Sequence, residues 1–144
     1  MLVGGAIAAC VLILLVRRRQ GREAFFWVLA LAGLVVLDLT LKPLFHRVPL
    51  SHMGGYSFPS GNAIATMGGV AALALLFAGQ AVWRRTILLL GYAAVALNGV
   101  AIVYLRWHYP SDVLAGWCVA AAWIYGLWLL VSPPRVRRSE RTLS

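Results

Sequence analysis

Acidic residues are nearly absent from this chain. Glu23, Asp38, Asp112 and Glu140 are the only four in 144 residues, against 13 lysines and arginines, for a formal charge of +9. Cysteine is scarcer still, with two residues. Cys10 and Cys118 both lie inside apolar runs and share no metal-ligand or disulfide spacing. They read as small buried hydrophobes. No set of residues suggests a metal site, and no cofactor is implied. The basic excess does not indicate nucleic acid, because the charges flank apolar runs instead of forming one patch. Ile7-Ala8-Ala9-Cys10 has a faint likeness to a lipoprotein cleavage site. It lacks a basic stretch before it, and the apolar run continues past the cysteine, so a membrane span is the better reading.

Apolar residues are what the chain does have. They make up 62% of it, with a mean hydropathy of +0.84. Soluble chains sit nearer half apolar. A helix needs roughly 20 apolar residues to cross a bilayer. Thr86–Leu105 and Val113–Val131 meet this, Phe25–Leu41 does so if extended towards Phe45, and Ala63–Ala78 if the helix starts at Ser60. Leu2–Val16 is shorter. The expected fold is all-α: an integral-membrane bundle of about five transmembrane helices in one domain, 1–134. Pro133-Pro134 stops the last helix. The basic segment 135–144 is expected to be a disordered cytoplasmic tail that touches anionic lipid headgroups.

The basic residues alternate along the chain. Arg17, Arg18, Arg19 and Arg22 separate the first two spans, Arg84 and Arg85 the third and fourth, and Arg135, Arg137, Arg138 and Arg141 follow the fifth. Lys42, Arg47 and Arg106 fall on the other side. The positive-inside rule places the denser clusters in the cytoplasm. All three histidines, His46, His52 and His108, then lie in outward-facing loops with the minority cations.

Three segments meet at that face: Leu41–Leu50, Ser57–Ala63 and Tyr104–Gly116. Ser60-Gly61-Asn62 at a helix start offers free N–H groups and the positive end of a helix dipole to an anion. A plain N-cap by Ser60 accounts for the same residues. His108 and Asp112 are four apart, with Pro110 at a first helical turn. Asp112 suits holding one imidazole nitrogen while the other attacks phosphorus; simple capping of the last span is the competing account. Asp38 and Lys42 are spaced for a pair within one helix, and Asp38 is the one ionisable residue well inside a span. Asn98 suits an interhelical hydrogen bond, and Gly61, Ala65 and Gly69 suit close helix packing.

Together, the Lys42 segment, YSFPSG (Tyr56–Gly61) and HYPSDVLAGW (His108–Trp117) resemble the type 2 phosphatidic acid phosphatase family, which includes the vanadium haloperoxidases. The likeness runs from about Phe25 to Val131. It implies a membrane lipid phosphatase or phosphotransferase acting on a lipid phosphate or diphosphate at the outer face of the plasma membrane, in bacteria the inner membrane. It also implies a six-helix core, of which this chain resembles all but the first helix. By the resemblance, His108 is the nucleophile that forms a phosphohistidine, Asp112 its orienting carboxylate, Lys42 a phosphate ligand, and Ser60 and Gly61 the turn that contacts phosphate.

Other positions depart from the family signatures. Pro49 and Leu50 stand in place of Arg-Pro, Asn62 in place of the histidine that serves as general acid, and Ala101-Ile102 in place of Ser-Arg. A charge-assisted hydrogen bond is worth about 1.5–3 kcal/mol, so two lost arginines weaken phosphate binding by orders of magnitude. A general acid contributes about 10²–10⁴-fold, and Asn62 has no proton to give. Arg47 and Arg106 lie close enough in sequence to refill the clamp, and His46 or His52 to replace the acid. A diphosphate needs the acid least, because its leaving phosphate has a second pKa near about 6. Asn62 therefore favours a diphosphate lipid, such as undecaprenyl diphosphate, over a simple monoester. The alternative is a catalytically impaired relative that binds a lipid-phosphate headgroup or serves as a subunit of a membrane complex. A homo-oligomer or a membrane-protein partner fits either reading.

Overall fold

A computed structural model describes residues 2–50 and 55–131. Within them lie five helices and no strand: α1 (Leu2–Arg17), α2 (Gly21–Phe45), α3 (Gly61–Leu76), α4 (Ala81–Tyr104) and α5 (Pro110–Val131). The all-helical bundle expected from the apolar runs is present. His52, Pro133, Pro134 and the basic segment 135–144 lie outside the described residues.

α2, α4 and α5 are each long and apolar enough to cross a membrane. α1 and α3 have 16 residues each. At 1.5 Å per residue they reach about 24 Å, short of a hydrocarbon core of roughly 30 Å. The five expected spans are thus three full-length helices and two short ones.

α3 is the internal strut. Ala63, Ile64, Gly68, Ala71, Ala72 and Ala74 are buried along it, and it packs against α2, α4 and α5. Small side chains let these backbones approach closely. The buried face differs from the expected Gly61–Ala65–Gly69 stripe: Ala65 is exposed, and Gly69 borders open space. Asn98 does bridge helices as expected, its Nδ2 donating to Thr66 Oγ1 at 3.4 Å.

Indole donors tie the remaining helices together. Trp123 Nε1 donates to the Ala30 carbonyl at 3.0 Å and Trp27 Nε1 to the Ala8 carbonyl at 3.1 Å. A Cβ on Gly33 would overlap the Trp123 ring, so glycine is what lets α5 lean on α2. Arg22 Nη2 donates to the Val131 carbonyl at 2.9 Å, which sets the start of α2 beside the end of α5. The end of α2 and the starts of α3 and α5 therefore gather at the opposite end of the bundle.

The outer surface is apolar. Leu89, Leu97, Leu129 and Leu130 are each more than two-thirds exposed. Such faces suit lipid, not water. The chain is accordingly a membrane protein. Cys10 and Cys118 are exposed on this surface, not buried. A bundle bathed in lipid places apolar residues outside as readily as inside, so an apolar run does not reveal which residues face the core.

Candidate functional site at the gathered helix ends

α2 ends at a left-handed residue, His46 (φ 47°), whose N–H returns to the Lys42 carbonyl. This turn sends the chain across the bundle end. Ser57, buried, donates its N–H to the Arg47 carbonyl at 2.9 Å. Ser60 then caps α3, its hydroxyl accepting from the Ala63 N–H at 3.4 Å. Its own N–H donates to the Asp112 carbonyl at 3.0 Å, tying the start of α3 to the start of α5. Gly116 makes the contact possible, because a Cβ there would lie 2.8 Å from the Ser60 carbonyl oxygen. Among the described residues, the N–H groups of Gly61 and Asn62 have no hydrogen-bond partner. They open the positive end of α3 to an anion.

The start of α5 follows from local chemistry. Pro110 occupies the first helical position, where no N–H is needed. Asp112, two residues on, reaches back with Oδ2 to accept the Tyr109 N–H at 3.2 Å. This is the carboxylate half of a capping box. Its other oxygen, Oδ1, is 2.7 Å from Arg47 Nη1, and Arg47 also donates to Ser111 Oγ at 2.8 Å. The guanidinium lies over the Tyr109 ring, 4.4 Å from its centroid. Asp112 is fully buried, so its charge requires such a partner.

His108 projects beside this pair and is mostly buried. Its Nδ1 is 2.9 Å from the Ser57 carbonyl oxygen. A carbonyl only accepts, so Nδ1 carries the hydrogen, and in the neutral ring it is Nε2 that holds the free lone pair. Asp112 Oδ2 lies 3.6 Å from Nδ1, too far for a hydrogen bond. The carboxylate thus acts on His108 through space, while the Ser57 carbonyl holds the ring directly. Ser57 had no signal in the sequence, because a backbone carbonyl is common to every residue.

The remaining expected residues divide. Lys42 Nζ pairs with Asp38 Oδ2 at 2.9 Å, as their spacing suggested. Asn62 and Arg106 are exposed, and Arg106 has left-handed backbone (φ 55°). His46 is also exposed, its ring edge-on to Tyr56 with centroids 4.8 Å apart. Ile102 is buried with Ala63 and Val113 in a small apolar cluster behind the site, so hydrocarbon fills that position. Among the described residues there is no group of three or more histidine, cysteine or carboxylate side chains suited to a metal.

This is a helical membrane protein with imidazole, carboxylate, cations and a free helix start collected at one end of its bundle. A family model described as PAP2 superfamily matches residues 36–135, and the chain belongs to that superfamily. The family's activity is of the phosphatase type, on phosphate esters, with lipid phosphate esters as substrates. Comparisons with curated proteins and with solved structures find no match.

Proposed function

We propose that the chain is a lipid phosphatase or phosphotransferase that works through a phosphohistidine on His108. The observation that carries this reading is the His108 tautomer. With Nδ1–H donated to the Ser57 carbonyl, Nε2 is the nucleophilic nitrogen. It attacks phosphorus, and the P–O bond to the lipid breaks. The Asp112 carboxylate stabilises the imidazole as it gains positive charge. Lys42 and the Gly61 and Asn62 amides neutralise the phosphoryl oxygens. Arg47 contributes through Asp112 and Ser111 and presents its remaining N–H groups to the phosphoryl group; Arg106 adds a cation at the rim. Water or another acceptor then takes the phosphoryl group from nitrogen.

The substrate is a lipid mono- or diphosphate, with the diphosphate the less demanding because Asn62 supplies no proton. The site faces outward from the plasma membrane, since the densest arginine clusters belong on the cytoplasmic side. The helices form one domain, and the basic tail is cytoplasmic.

The test is phosphate release by purified protein from a panel of lipid mono- and diphosphates, with His108→Ala alongside. Release that disappears in the variant, with an acid-labile phosphoenzyme in the wild type, supports the histidine mechanism. Equal release from both proteins removes it.

Two observations favour the second reading, a binder of phosphate headgroups without turnover. Arg47 is already engaged by Asp112, and Ile102 fills the space behind the site with hydrocarbon. Orthovanadate binding that needs His108, without phosphate release from any lipid, would select this reading.

A further inference from the structure

An alkoxide leaving from phosphorus needs a proton, and Asn62 has none to give. Asp38 is placed to provide one. It lies one turn from Lys42 near the end of α2. Its Oδ2 faces Lys42, but its Oδ1 is buried and has no hydrogen-bond partner among the described residues. A Cβ on Gly61 would lie 2.6 Å from that same Oδ1. The unpartnered oxygen is therefore packed on the first residue of α3, where the free amides of the proposed phosphate cradle begin. Lys42 is the charged side chain paired with Asp38, and the first turn of α3 contributes no acidic residue. A carboxylate oxygen without a donor is costly when buried. An arriving proton or ligand removes the cost.

We propose that Asp38 is the proton donor to the leaving lipid oxygen, in the role that Asn62 cannot fill. The inference rests on the phosphohistidine reading above. In the proposed cycle a bound phosphoryl dianion draws Lys42 to itself, and Asp38 enters the step carrying a proton taken from solvent. His108 Nε2 forms the P–N bond, and the P–O bond to the lipid breaks with its electron pair left on the lipid oxygen. The Asp38 Oδ1 proton passes to that oxygen, and the lipid alcohol departs. The carboxylate then pairs again with Lys42. In the second half, water attacks phosphorus and loses its proton to solvent, and the P–N bond breaks with the pair returning to Nε2. Asp38 takes a proton back from solvent, so each cycle balances. With this donor in place, a lipid monoester is also a usable substrate.

The test compares two substrates with one tail, dioleoyl phosphatidic acid and dioleoylglycerol diphosphate, in wild type, Asp38→Asn, His46→Gln, His52→Gln and His108→Ala. Asp38→Asn is expected to lose at least 10²-fold on the monoester, the low end of a general-acid contribution. It should keep most of its β-phosphate release from the diphosphate, whose leaving group needs no proton. That retained activity also shows that the variant folds. Equal losses on both substrates would mean a structural role and overturn the proposal. So would a selective monoester loss in His46→Gln or His52→Gln with Asp38→Asn unaffected. Release by the wild type that persists in His108→Ala, or no release by the wild type from either lipid, would instead overturn the phosphohistidine reading and this inference with it.

Discussion

Arg47 and Asp112, 65 residues apart, meet at 2.7 Å across the end of the bundle, the arginine partly exposed and the aspartate wholly buried. Through this pair the irregular segment after α2 holds the first turn of α5. Removing one partner of a buried pair leaves an uncompensated charge, which costs about 3–5 kcal/mol when both are deep. Arg47 is partly exposed, so we expect about 1–3 kcal/mol for Arg47→Ala, as for an unsatisfied buried group. Arg47→Lys should recover part of this, because lysine keeps the charge but not the planar stacking on Tyr109. Thermal unfolding in detergent reads both effects; an unchanged midpoint in Arg47→Ala would show that the pair does not hold the fold.

Gly116→Ala should be more damaging than an ordinary glycine replacement in a helix. Its Cβ would meet the Ser60 carbonyl at 2.8 Å, and backbone cannot swing away. Overpacking of this kind costs about 1–3 kcal/mol. It also pushes His108 and Asp112 away from the start of α3, so phosphate release should fall more than stability does. Gly126, whose added Cβ meets nothing within 4 Å, is the control: Gly126→Ala should leave both intact.

Gly61→Ala tests the contact between α2 and α3. The methyl would strike Asp38 Oδ1, a side-chain end able to move only by loosening its bond to Lys42. Gly61→Ala and Asp38→Ala should therefore couple in a double-mutant cycle, by about 0.5–3 kcal/mol for residues in contact. Additive effects on unfolding would show that the two residues do not touch.

Asn62→His restores an imidazole at the second residue of α3. If Asp38 is the proton donor, the replacement should rescue monoester hydrolysis in Asp38→Asn by at least tenfold, a fraction of the roughly 10²–10⁴-fold a general acid supplies. Initial rates on phosphatidic acid decide it. A rise confined to the Asn62→His single variant, with no rescue of Asp38→Asn, would assign Asp38 a different task.

Much of the architecture was legible from the chain. Long apolar stretches broken by arginine clusters have one low-energy outcome in a bilayer, a bundle of helices whose backbone groups are satisfied internally. Lys42, Ser60-Gly61 and His108 with Asp112 could also be singled out from the sequence as candidates, because polar and charged groups are scarce among hydrocarbon. Helix length was less legible: α3 is bounded by its Ser60 cap and closes at Leu76, whereas hydropathy continues through Phe77 and Ala78. The lipid-facing cysteines were missed for a related reason, since hydropathy does not separate lipid from core.

The amino-acid sequence by itself thus determined the class of structure, the helices and the residue types gathered at one end. Those follow from local composition, spacing and the cost of exposing polar backbone to lipid. Which group touches which was decided only by the tertiary structure. Arg47 could have faced solvent or phosphate, yet it holds Asp112. His108 could have bonded to Asp112, yet it takes the Ser57 carbonyl. Asp38 could have been no more than a partner for Lys42, yet its second oxygen rests on Gly61. Each outcome depends on how three helix ends meet, and the distances that set it join residues far apart in the chain.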